Sequence, residues 1–78
     1  MEALRVILSA NIRIWQRRMR LDNAALANRS AVSVDAIYKL KRCERGASID
    51  VVGKLAKAFD IEPFMLLVPP VIDNGEDT

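Results

Sequence analysis

The stretch Leu26-Ala27-Asn28-Arg29-Ser30-Ala31-Val32-Ser33-Val34-Asp35-Ala36-Ile37-Tyr38-Lys39-Leu40 decides how the chain is read. It predicts two short helices joined by a tight turn. Just upstream, Asp22 suits an N-cap, because its carboxylate can accept from the unpaired amides that open a helix over Asn23 to Arg29. Ser33 is the matching cap for a helix from Val34 to about Arg42. Only Ser30, Ala31 and Val32 lie between. Two crossed helices need a small residue where they approach closest, and Ala27 supplies it. The turn needs left-handed backbone, usually provided by glycine. Ala31 stands there instead, at a cost of about 1 kcal/mol. Leu26, Val32, Ile37 and Leu40 then point inward. Val34, Asp35, Tyr38 and Lys39 are left on the outer face of the later helix. The outline is a helix-turn-helix.

Working outward, Leu4, Leu8, Ile12, Trp15 and Met19 recur at helical spacing and predict a first helix from Glu2 to Arg18. Trp15 is read as a core residue. Arg13, Gln16, Arg17 and Arg20 fall off that stripe and are expected to face solvent. On the far side, Ser48 can cap a fourth helix from Ile49 to Phe59, with Ile49, Val52, Leu55, Ala56 and Phe59 on one face. Pro63 fits the first turn of a short fifth helix to about Val68, and Pro69-Pro70 stops it. The expectation is an all-α domain of five helices over residues 1–70. An acidic tail over 71–78, expected to be flexible, follows it.

Composition narrows the function classes. With a single cysteine, Cys43, and no histidine, a structural zinc site and a histidine-activated nucleophile are both excluded. No Gly-rich phosphate loop is present either, so an enzyme is not expected and no cofactor is implied. One cysteine allows no internal disulfide, which suits a cytoplasmic protein. The longest apolar runs are too short to cross a bilayer, and the N-terminus lacks the pattern of a signal peptide. The net charge of +2 hides an asymmetry. All twelve Lys and Arg lie in residues 1–57 with five acids, whereas residues 58–78 hold five acids and no base. A basic body points to a polyanion partner.

From Leu8 to Leu67 the chain resembles the phage repressor and Cro family, the XRE-type helix-turn-helix proteins. The resemblance rests on Leu8-Ser9-Ala10-Asn11-Ile12-Arg13, on the stretch quoted first, and on Ala47-Ser48-Ile49-Asp50 with Leu55-Ala56-Lys57-Ala58-Phe59-Asp60-Ile61. It implies a compact five-helix, lambda-repressor-like domain whose third helix enters the major groove of double-stranded DNA. The base-edge positions would be Ser33, Val34, Asp35, Tyr38 and Lys39. Lys39 could donate to guanine, and Val34 could meet a thymine methyl. Asn23 holds the position where the family usually sets a glutamine against a phosphate. Arg42 and Arg45 are further phosphate candidates.

Two departures stand out. The family often pairs an arginine of the first helix with a glutamate late in the third, and the matching positions here are Gln16 and Lys41. The family's Glu-Arg-Gly after the third helix reads Lys41-Arg42-Cys43, while Glu44-Arg45-Gly46 follows three residues later. The third helix could therefore extend toward Glu44. The resemblance implies a bacterial or phage-encoded transcription regulator, a repressor by expectation. It would read a palindromic operator as a homodimer through Phe64, Met65, Leu67 and Val68. An antitoxin or restriction-modification controller of the same fold, which could also bind a second protein, remains open. So does a helical protein-interaction module that no longer binds DNA.

Overall fold

The computed structural model describes residues 4–70, and within them the chain is helical. Four α-helices, α1 (Leu4–Met19), α2 (Asn23–Ser30), α3 (Val34–Lys41) and α4 (Ile49–Phe59), are followed by a 3-10 turn, Pro63–Leu66. The expected fifth α-helix is thus only this turn. Its bonds run three residues back, from Met65 N–H to Glu62 and from Leu67 N–H to Phe64. Pro63 starts it as expected, but the prolines ahead leave too little chain for α-helical bonding to propagate. The acidic tail 71–78 lies outside the described residues. No described helix is long and apolar enough to cross a membrane.

The helix starts follow the side chains that can cap them. Asp22 Oδ1 accepts from Ala25 N–H at 2.8 Å, Ser33 Oγ from Ala36 N–H at 3.1 Å, and Ser48 Oγ from Val51 N–H at 3.1 Å. The helix ends use left-handed residues at Arg20, Ala31, Cys43 and Asp60, and none of these is glycine. After α1, α3 and α4 the chain closes with a paired return of amides onto the last turn, as in Glu44 N–H to Lys39 O and Cys43 N–H to Leu40 O. That closure at Cys43 ends α3 at Lys41, so the helix does not run on to Glu44. Each L-residue in this conformation costs about 1–2 kcal/mol. Ala31→Gly is therefore expected to stabilise the fold by about 1 kcal/mol in urea unfolding. Gly53, by contrast, sits inside α4 where an added Cβ would meet nothing within 4 Å. Gly53→Ala is expected to add about 1 kcal/mol through helix propensity alone.

The core gathers Leu8 and Ile12 of α1, Leu26 of α2, Val32 of the turn and Ile37 and Leu40 of α3. Val52, Leu55, Ala56, Ala58 and Phe59 of α4, together with Leu66, complete it. Trp15 and Met19 pack against its edge, the Trp15 ring 6.5 Å from Phe59. The four residues expected to point inward from the helix-turn-helix are all buried. Ile49 corrects the reading of α4: it fits the apolar period but is 90% exposed, because it lies in the first turn, beyond the reach of the core. Leu4 is likewise exposed at the start of α1.

Candidate nucleic-acid interface

The site begins with how α2 and α3 are held. Both pack on each other; α3 also packs on α1, and α2 on α4. The turn between them is tightened by Ala31 at φ 62° and by the buried Ser30 hydroxyl, which accepts from Val32 N–H at 3.1 Å. The far end of α3 is clamped by α1. Ser9 Oγ donates to the Lys41 carbonyl at 2.6 Å, and Arg13 Nη2 donates to the same oxygen at 3.1 Å. Fixed at both ends, α3 turns Ile37 and Leu40 inward and leaves Val34, Asp35 and Tyr38 exposed, with Lys39 half-exposed beside them. Ser33 is exposed as well and serves as the cap.

The charges on this face are not all free. Lys39 Nζ lies 3.2 Å from Asp35 Oδ2, one helical turn back. Arg42 Nε donates to Glu44 Oε2 at 2.7 Å, and its guanidinium lies 6.0 Å from the Tyr38 ring centroid. The hydrogen bond to Glu44 raises the Arg42 pKa, and the same bond lowers that of Glu44. Both pairs are exposed, so each contributes little to stability. Each nevertheless supplies an internal counter-ion that a phosphate would have to displace. Arg45 is exposed in the loop before Ser48.

The stronger concentration of positive charge lies at the N-terminus of α2. Arg13, Gln16, Arg17 and Arg20 of α1 and its exit, Leu21, Asp22 and Asn23 at the start of α2, and Lys41 at the end of α3 line an open cleft of about 530 Å³. Four cations face it against one carboxylate, Asp22, which is occupied in capping α2. The first amides of α2 add the partial positive charge of a helix start. Gln16 is buried, contrary to the expectation from its place off the α1 stripe. Its Nε2 donates to the Leu21 carbonyl at 3.1 Å and to Asn23 Oδ1 at 2.9 Å, while its Oε1 is buried without a partner among the described residues. Lys41 Nζ donates to the same Asn23 Oδ1 at 2.9 Å. Gln16 and Lys41 are therefore joined through Asn23, and α1, α2 and α3 meet at that oxygen. Burial, and then the nearby charge of Arg13, hold the Lys41 ammonium below the usual lysine range. An anion in the cleft would relieve that repulsion.

Ser33, Val34, Asp35, Tyr38, Lys39 and Arg42 lie along α3 and its ends and none of them is buried, whereas Asn23 lies in the cleft at the far end, beside Lys41. Sequence reasoning missed Arg13, Arg17, Arg20 and Lys41 as a group. The signal that could have found them is a cationic α1 (four of its residues are Arg between Arg5 and Arg18, none acidic) placed beside a helix start.

A second surface lies at the other end of α1. Leu4, Arg5, Leu8, Ile49, Val52, Pro63 and Leu67 border an apolar groove of about 710 Å³. Of the four residues expected at a dimer contact, Phe64, Leu67 and Val68 are exposed, and Met65 is half-buried. Asn11 holds this segment in place, its Nδ2 donating to the Leu66 and Val68 carbonyls, both at 2.8 Å. No family model, curated protein or solved structure matches the chain.

Proposed function

We propose that the chain is a sequence-specific, double-stranded DNA-binding transcription regulator of the phage repressor and Cro type, acting as a homodimer and most simply as a repressor. The observation that carries this reading is the cleft of Arg13, Arg17, Arg20 and Lys41 at the N-terminus of α2, set beside the exposed face of α3. Such a cleft suits a backbone phosphate, because the helix start and the cations act on the same anion. A phosphate there fixes the register of α3 in the major groove, where Val34, Tyr38 and Lys39 can meet base edges. Asp35 accepts a base contact only from a donor such as the cytosine amine. Otherwise its role is to hold Lys39.

Two half-sites are needed for useful specificity, and the exposed Phe64, Leu67 and Val68 beside the apolar groove suit a second copy of the chain. A cytoplasmic regulator of bacterial or phage origin is the setting this reading implies. Selection of bound duplexes from a random pool tests it. A palindrome with half-site centres about one helical turn apart, ~34 Å, is the expected result. Recovery of no enriched duplex at low salt would contradict it.

A further inference from the structure

The outer face of α3 keeps an acid where phosphates would repel it. Asp35 stands in the first turn of the helix, with 74% of its side chain exposed. The helix start does not require it as a cap, because Ser33 Oγ already accepts from Ala36 N–H. Alone, its carboxylate would oppose the charge that lines a DNA groove. It is paired instead: Lys39 Nζ lies 3.2 Å from Asp35 Oδ2, one turn along the same face. The pair has no net charge and sets a donor beside an acceptor. An ammonium has three donors and a carboxylate about four lone-pair sites, so each keeps capacity for a further bond.

The major-groove edge of a G·C pair offers the complement at a similar spacing. Guanine O6 accepts and cytosine N4 donates. The Watson–Crick bond between them holds the two atoms about 2.9 Å apart, the ordinary N–H···O distance. Nζ set on O6 therefore brings the carboxylate to N4, whose second hydrogen points into the groove. Guanine N7, beside O6, gives Nζ another acceptor. An A·T pair also offers an acceptor beside a donor, but there Nζ would meet thymine O4 next to the C5-methyl and gain no second acceptor on that base. Exclusion of water in the groove strengthens an attraction that is weak on the free surface.

We propose that Asp35 and Lys39 act as one unit that reads a single G·C pair in each half-site, Lys39 on the guanine and Asp35 on the cytosine. The unit rests on the DNA-binding reading and adds to it the base pair that is read.

The test measures binding of the full chain, of Asp35→Ala, of Lys39→Ala and of the double variant. Neither side chain is buried, so the variants are expected to fold. The probes are the most enriched duplex from the random-pool selection and versions of it carrying each of the four base pairs at every half-site position. The parent is expected to prefer G·C over A·T at one position by about 5- to 150-fold. Both single variants should lose that preference at that same position, and the double variant should lose no more. N4-methylcytosine there, which replaces the groove-facing amine hydrogen, should weaken the parent by at least about 5-fold and leave Asp35→Ala unchanged. Loss of preference at two different positions, or an A·T pair at the shared one, overturns the proposal and leaves the DNA reading standing. So does a uniform change on every duplex, tighter for Asp35→Ala and weaker for Lys39→Ala, because the two would then act on phosphates alone. A parent that enriches no duplex removes the DNA reading and the proposal with it.

Discussion

Arg17→Gln/Arg20→Gln is expected to weaken duplex binding by about 60-fold at 0.1 M salt and to leave the fold intact. Each phosphate neutralised contributes about 0.9 to the slope of log affinity against log salt, so losing two lowers the slope by about 1.8. At 0.1 M that slope difference corresponds to the stated loss. Both side chains border the cleft and both are exposed, so glutamine removes charge without opening the core. Lys39→Gln/Arg42→Gln removes as much formal charge but is expected to change the slope less. In the free protein those cations are paired with Asp35 and Glu44, which must be released before a phosphate gains them. Fluorescence anisotropy on one duplex across a salt series compares the two variants. An equal slope change for both would remove the cleft from its assigned role.

Phe59→Ala is expected to cost about 3–5 kcal/mol, a large share of the stability a domain of this size can have. Phe59 is 1% exposed at the last turn of α4 and stands beside Trp15 of α1. Truncation there leaves a cavity where α4 meets α1, and a domain of this length has a total stability of only about 4–12 kcal/mol. Ile49→Ala, an equally apolar position in the same helix by period, is expected to change stability by less than about 0.5 kcal/mol, because that side chain is already in solvent. Urea unfolding followed by circular dichroism measures both. A large loss for Ile49→Ala would mean that the groove beside it is filled in solution, by a second copy of the chain or by another segment.

The contrast between Phe59 and Ile49 shows where sequence reading stops. Both satisfy a 3.6-residue period, but period reports only the direction of a side chain. Whether a neighbour stands opposite depends on which turn of the helix meets the core. The three N-caps were legible because Asp22, Ser33 and Ser48 act locally, through an amide three residues on. The C-terminal closures were less so. Glycine normally announces left-handed backbone, yet Arg20, Cys43 and Asp60 adopt it here, leaving the end of α3 ambiguous between Lys41 and Glu44. Ala31 was readable only because the spacing of Leu26, Val32 and Ile37 demanded a turn at that point. The fifth segment carried the right start signal in Pro63, but start signals do not report whether enough chain remains for a helix to propagate.

The candidate site divides in the same way. The exposed face of α3 follows from local periodicity, so Val34, Asp35, Tyr38 and Lys39 were found together. The cleft joins Arg13 to Lys41 across 28 positions, and only the packing of α3 against both α1 and α2 assembles it. Singly, Arg13, Arg17 and Arg20 read as solvated cations on the outside of a helix. Gln16 and Lys41 looked like the loss of an ion pair. Both instead donate to Asn23 Oδ1, a link across three helices that neither position announces alone.

The most direct test of the central claim is an NMR titration of the full chain with a short duplex from the selected pool, at low salt. The largest amide shifts are expected at Asn23 and Ala24, which open α2 at the cleft, and at Val34, Asp35 and Tyr38 along α3. Shifts confined to Leu4, Ile49 and Leu67 around the apolar groove, or no shifts at all, would contradict it.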